Sequence, residues 1–176
     1  MPHYIAFLRA INVGGHTVKM DRLRQIFENL GCLQVETFIA SGNVIFESAG
    51  SEPEIAALLA EGLQHELGYP VATFIRTPQE VVQVAAYQPF SSAELTAAAA
   101  LNIAFLAEPP SDAACQRLLA MKNGIDDFNI HNRQVYWLCQ KKQSESTFSN
   151  VLLEKTLRQQ ATIRGINTIQ RLAARF

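Results

Sequence analysis

The sequence predicts an α+β protein made by tandem duplication of two ferredoxin-like βαββαβ subdomains, each with a trailing helix. Three observations lead there. Short apolar or alternating runs, which read as strands, are interleaved with stretches of helical periodicity in the order β-α-β-β-α-β. That order occurs twice along 176 residues, a length that accommodates two small halves. Finally, Ile5-Ala6-Phe7-Leu8 returns letter for letter as Ile103-Ala104-Phe105-Leu106, as an internal repeat would require. The expected organisation is a first subdomain over residues 1–88, a connecting segment over 89–100 and a second subdomain over 101–176.

In the first half, residues 4–8 form an apolar run that reads as a buried strand. Leu23, Ile26, Phe27 and Leu30 then share one face of a helix from about residue 20 to residue 30, and Gly31 stands where a C-terminal glycine belongs. Val35, Thr37 and Ile39 alternate as a second strand and Val44-Ile45-Phe46 read as a third, with Ser41-Gly42-Asn43 as a tight hairpin between them. Ser51-Glu52-Pro53-Glu54 is a capping box opening a helix to about residue 67, which Gly68-Tyr69-Pro70 stops. Residues 71–75 give a fourth strand, and Thr77-Pro78-Gln79-Glu80 is a second capping box that starts the trailing helix.

The join carries Pro89 and an alanine run, with Ser91 and Glu94 spaced for a short helix. Residues 103–106 open the second half, and a helix over 112–121 follows Glu108-Pro109-Pro110-Ser111. Two strands over 127–131 and 134–139 flank a turn at His131-Asn132-Arg133. A helix over 150–159, a short strand over 161–163 and a last helix over 168–174 complete the repeat, with Asn167 and Thr168 placed to cap that helix. A βαββαβ unit with right-handed crossovers gives an antiparallel sheet of order 4-1-3-2. That plan puts the carboxyl end of strand 1 at the same sheet end as the hairpin joining strands 2 and 3. The loop from Arg9 to Lys19 should therefore lie beside Ser41-Gly42-Asn43.

Composition narrows the class. The chain is 48% hydrophobic and 18% charged, as in ordinary globular proteins, and no apolar run approaches the roughly 20 residues of a membrane helix. Met1-Pro2-His3 leads straight into a strand without a charged or cleavable leader, and Cys32, Cys115 and Cys139 match no C-x-x-C pattern. Reduced thiols in a cytoplasmic protein are expected. A net charge of −1 argues against a DNA-coating protein. The charge is unevenly spread, however: residues 1–31 carry four Lys/Arg against two acids, residues 32–130 three against twelve, and residues 131–176 eight against two.

The chemistry concentrates after the first strand. Gly14 and Gly15 let the backbone approach a ligand, amides near Lys19 and Met20 open a helix, and Arg9 and Lys19 each offer a charge-assisted hydrogen bond. Asn12, Ser41, Gly42 and Asn43 add neutral donors and acceptors. This is a site for a phosphate or another anion; the alternative is that the glycines only shape a loop while Asn12 and Asn43 cap turns. The spacing is neither G-x-x-x-x-G-K-[ST] nor G-x-G-x-x-G, so neither an ATPase nor a dinucleotide fold follows. A second polar cluster comprises Lys141, Lys142, Ser144, Ser146, Ser149, Asn150, Arg164, Asn167 and Thr168. His3, His16, His65 and His131 show no metal-ligand spacing. His16 is the histidine of the loop, as a general acid or base or as a plain surface residue. Asp126 and Asp127, adjacent before a strand, should point to opposite sides.

These residues resemble a known family. Phe7-Leu8-Arg9-Ala10-Ile11-Asn12-Val13-Gly14-Gly15, then Lys19-Met20 with Leu23, then Ser41-Gly42-Asn43-Val44-Ile45-Phe46 resemble the opening of a bacterial family known as a domain of unknown function, DUF1697. Ile103-Ala104-Phe105-Leu106, Ser149-Asn150, Ala161-Thr162-Ile163-Arg164 and Asn167-Thr168 fit the same pattern. The resemblance implies a two-subdomain α+β fold and no established activity. The chain departs from the pattern at Ala10, where the family has Gly, and at Gly165-Ile166, where it has Asn-Trp.

The expected function is binding of a phosphorylated or other anionic ligand, a nucleotide or nucleic-acid segment first, through Arg9, Asn12, Gly14, Gly15, Lys19, Ser41, Gly42 and Asn43, with Arg164 and Asn167 as further candidates. The alternatives are an enzyme acting on a phosphate-containing substrate with His16 or Lys19 assisting, and a module that associates through its sheet edges. No cofactor and no oligomeric state follow from the sequence.

Overall fold

The computed structural model describes residues 1–12, 15–39 and 42–176. The chain divides into two compact units, Met1–Val81 with Phe176 and Val82–Arg175, and each holds one four-stranded antiparallel sheet.

In the first unit β1 (His3–Leu8), α1 (Met20–Asn29), β2 (Leu33–Thr37), β3 (Asn43–Glu47), α2 (Glu52–Leu67) and β4 (Thr73–Arg76) follow one another. The strands lie in the order β2-β3-β1-β4, the expected 4-1-3-2 order taken from the opposite edge. β1 is apolar at nearly every position because both of its faces are covered. Tyr4, Ala6 and Leu8 join Leu23, Ile26 and Phe27 of α1 and Ile55, Leu59 and Leu63 of α2 in one core, while Ile5 and Phe7 on the other face are also fully buried. Phe27 meets Phe46 edge-on, with centroids 5.4 Å apart. Fully burying such a side chain stabilises the fold by about 1.5–3 kcal/mol.

α3 (Pro78–Ala86) straddles the division between the units. In the second unit α4 (Ser92–Ala97), β5 (Ala100–Leu106), α5 (Asp112–Leu119), β6 (Asp126–His131), β7 (Gln134–Cys139), α6 (Asn150–Leu157), β8 (Ala161–Gly165) and α7 (Ile166–Ala173) follow, with a short 3₁₀ turn at Gln143–Glu145. The strand order is β6-β7-β5-β8, the same as in the first sheet. The repeat extends to the register. Ile5 stands opposite Ile45 and Arg76, and Ile103 stands opposite Tyr136 and Arg164. Asn43-Val44-Ile45-Phe46 thus corresponds to Gln134-Val135-Tyr136-Trp137. Ala104, Leu106, Val135 and Trp137 face Leu118 of α5 and Leu153 of α6 in the second core. There the Trp137 indole donates to Asp126 Oδ1 at 2.8 Å, and the Ser146 hydroxyl meets both oxygens of the same carboxylate.

The structure departs from expectation at several boundaries, of which three bear on the candidate residues. Asn43 is the first residue of β3, paired with Phe7, so the β2–β3 connection spans residues 38–42 and is longer than a tight hairpin. β4 starts at Thr73 and runs on through Arg76. β8 continues to Gly165 because β5 begins early enough for Asn102 to pair with it. α7 therefore begins at Ile166 with Gly165 at its cap, and Asn167 and Thr168 lie in its first turn rather than capping it.

Candidate functional site

The carboxyl end of β1 and the β2–β3 connection do meet. The Leu8 amide donates to the Gly42 carbonyl at 2.9 Å, and a Cβ on Gly42 would stand 2.8 Å from Ile11 Cγ2 and 3.2 Å from Leu8 Cβ. Gly42 is at φ 78°, so the absence of a side chain answers both a left-handed backbone and a contact too close for a methyl group. The two loops also hold Ala10 at φ 54° and Ile39 at φ 58°. For a β-branched residue that is strained backbone, of a kind that gathers at binding sites.

Each expected site residue takes a distinct place. Arg9, half-buried, anchors the start of the loop through its amide, which donates to Ala72 O at 2.9 Å. Asn12 closes the loop from within, its Oδ1 accepting from the Val18 amide at 2.8 Å. Gly15 is exposed at φ 83° with open space around it. Lys19 is exposed at the N-cap of α1, and its side chain does not cap the helix. Asn43 turns inward: it is fully buried, and its Nδ2 holds the Phe38 carbonyl at 2.9 Å. Gly14 and Ser41 lie outside the described residues.

Sequence reasoning missed Tyr69. Its ring stacks on His16 with centroids 3.8 Å apart, and its hydroxyl donates to Ile11 O at 3.5 Å. The Gly68-Tyr69-Pro70 stop signal after α2 marked the segment as a turn, but nothing local announced a partner for the β1–α1 loop. Lys19 and Gly15 are thus exposed in the chain that leads into α1, and the Tyr69 ring holds the His16 imidazole between them in sequence.

The second cluster dissolves into separate roles. Ser146 serves the Asp126 carboxylate, Ser149 caps α6 by accepting from the Leu152 amide at 3.3 Å, and Asn150 donates to Ala161 O at 3.0 Å. Lys141 and Lys142 are exposed. Arg164 is buried in β8, its Nη1 donating to Thr162 Oγ1 at 2.7 Å and to Ile163 O at 2.9 Å, and burial pulls its pKa down to about 10. Asn167 is exposed in the first turn of α7 and lines a cavity of the second unit. Asp126 and Asp127 part as expected, the second pairing with Lys122 at 2.9 Å. Burial pushes the Cys32 thiol up to about 11 and raises Cys115 and Cys139 as well, the opposite of an activated nucleophile. Among the described residues no three His, Cys, Asp or Glu side chains gather to hold a metal, and no helix is long and apolar enough to cross a membrane.

Two four-stranded antiparallel sheets repeated in register, with a glycine-containing loop leaving the first strand, define a duplicated α+β protein. The chain belongs to the family described as "Protein of unknown function (DUF1697)", which matches residues 1–136. No curated protein matches it. Among solved structures it is similar to the conserved bacterial protein SP0830 from Streptococcus pneumoniae, with 21% identity and a TM-score of 0.79 over 98% of this chain and 97% of that one. That likeness is one of fold.

Proposed function

We propose that the chain is a cytoplasmic protein that binds a phosphorylated or other anionic ligand at the β1–α1 loop, with each unit a ferredoxin-like half. The observation that carries this reading is the start of α1. Its first N–H groups have no partners within the helix, and Lys19, whose side chain makes no cap, occupies the cap position. Arg9 and Lys19 supply positive charge, Gly15 opens the backbone, and Asn12 and Asn43 hold the two loops in shape. Arg164 and Asn167 are the further candidates, the first buried in its own strand and the second exposed in the first turn of α7. A nucleotide or a short nucleic-acid segment is the first ligand class to test.

The experiment is a thermal-shift series with inorganic phosphate, sulfate, nucleotides, sugar phosphates and short oligonucleotides. A ligand at a hundredfold excess over its Kd stabilises the folded state by about 2.7 kcal/mol. A shift that disappears in both Arg9→Ala and Lys19→Ala supports the site; no shift with any of these ligands removes it. An enzyme acting on a phosphate-containing substrate is the second reading, favoured by the ring stack that holds His16 in place. It requires turnover that His16→Gln abolishes while binding persists.

A further inference from the structure

The register of the repeat matches the two units residue by residue, and at one corner of the sheet they differ in bulk. Ile5 and Ile103 stand opposite Arg76 and Arg164. One residue back in the central strand, and one residue on from the arginine, the first unit has Tyr4 and Thr77 where the second has Asn102 and Gly165. Tyr4 fills its corner: its ring stacks on Phe46 with centroids 5.9 Å apart, and its hydroxyl donates to Gly50 O at 3.1 Å. Asn102 and Gly165 are both smaller, and they pair with each other across β5 and β8. Both line a cavity of about 430 Å³ in the second unit, a volume that suits a small molecule. A Cβ added at Gly165 would meet nothing closer than Asn102 Oδ1, at 4.0 Å. The missing bulk is not made up by a neighbour.

The walls carry a definite chemistry. Asn102 is 8% exposed, and its carboxamide makes no hydrogen bond among the described residues. Its Nδ2 is sealed off, whereas Oδ1 is the end beside Gly165, so what the side chain offers there is an acceptor. A polar side chain so buried and so unmet is rare in native proteins, and here it stands where the repeat has an aromatic ring. Phe90 and Leu138 add buried apolar wall. The Tyr87 ring is held in place by stacking on His131, with centroids 4.0 Å apart, and by its hydroxyl, which donates to Asn129 Oδ1 at 3.2 Å. Gln88 and Gln170 bring further carboxamides on the exposed side. No Lys, Arg, His, Asp or Glu among the described residues lines the cavity.

We propose that this cavity binds a small uncharged aromatic amide, its N–H donating to Asn102 Oδ1 and its ring lying against Tyr87 and Phe90. An acceptor without a donor calls for an N–H on the ligand. A carboxylate would set oxygen against oxygen and find no cation, and an ammonium would find no carboxylate, so either charge would be buried unpaired. Flat aromatic walls suit a flat ring. This site lies in the second unit and rests on neither the β1–α1 loop nor an anion.

The test uses the full chain with benzamide and nicotinamide as probes, read by thermal shift and calorimetry. Benzoate and nicotinate, the charged counterparts, and methyl benzoate, which keeps the carbonyl but has no N–H, are the controls. The amides are expected to raise the melting temperature and to bind roughly tenfold or more tighter than the controls, because a site built for an N–H rejects analogues that lack it. Asn102→Leu removes the acceptor; it is expected to melt no lower than the parent and to bring benzamide level with methyl benzoate. Gly165 has φ −65° and ψ 148°, angles open to any residue. Gly165→Thr is therefore expected to fold, to place a methyl and a hydroxyl beside Asn102 Oδ1, and to abolish the response to both amides. Lys19→Ala should leave that response unchanged. No response to either amide, an equal response to benzoate, a preference for benzamide over methyl benzoate that survives Asn102→Leu, or unaltered binding in Gly165→Thr would each overturn the assignment.

Discussion

Arg76 and Arg164 occupy the same position in the two sheets. Each lies in the fourth strand of its unit, opposite Ile5 and Ile103 respectively, and each donates through Nη1 to the carbonyl of the isoleucine before it, at 2.8 Å in one case and 2.9 Å in the other. Neither is more than 8% exposed. A planar guanidinium can serve several acceptors in a buried strand, whereas an ammonium is a point donor that resists desolvation. Arg76→Lys and Arg164→Lys should therefore each cost about 1–3 kcal/mol, and by similar amounts, in urea denaturation. A clear inequality would show that the two positions have diverged in role.

Gly42 and Gly15 both have left-handed backbones, yet a methyl group meets neighbours only at the first. Gly15→Ala should cost about 1–2 kcal/mol for the backbone alone. Gly42→Ala adds the overlap with Ile11 and Leu8, about 1–3 kcal/mol more. Denaturation midpoints of the two variants, measured side by side, check the order.

Asp126 is 2% exposed and accepts from both the Trp137 indole and the Ser146 hydroxyl. Asp126→Ala strands the indole N–H in the core and should cost about 1–3 kcal/mol. Asp126→Asn keeps an acceptor for it and should cost less. Trp137 is the only tryptophan of the chain, so its fluorescence reports both transitions.

Cys32 gives a pH dependence with a definite sign. Its thiol is raised from 9.0 to about 11 by burial, so between those values the unfolded chain has lost a proton that the folded chain keeps. Its contribution to stability is whole below pH 9 and is lost as pH rises toward 11. The stability difference between the parent and Cys32→Ala should shrink across that window and stay flat from pH 6 to 8.

Local signals were the legible ones. The boxes at Ser51 and Thr77 and the apolar run of β1 are decided within a few residues, and each element formed where its own sequence asked for it. Strand order followed from element order, which brought Gly42 to Ile11. What stayed hidden depends on register. Arg76 carries no sequence signal and Arg164 reads as a ligand candidate until pairing places them opposite Ile5 and Ile103. Asn43 looked like a turn residue until its pairing with Phe7 turned it inward. Ile75-Arg76 against Ile163-Arg164, and Asn43-Val44 against Gln134-Val135, were readable traces of the repeat beyond the shared tetrapeptide. Tyr69 under His16, and Gly165 in place of a cap, required the folded chain.

The pairing of β1 with β4 has a consequence for synthesis. β1 sits at the centre of its sheet, but its partners Thr73–Arg76 come some seventy residues later. At a translation rate of about 5–20 residues per second, an apolar strand waits roughly 3–14 seconds for its second neighbour. During that interval at least one of its edges stays unpaired in the crowded space outside the ribosome, both of them until β3 is made. The second sheet repeats the delay with β5 and β8. Nascent chains of this architecture should thus be clients of holding chaperones, and yield in cells should depend on translation speed more than the stability of the finished fold would suggest.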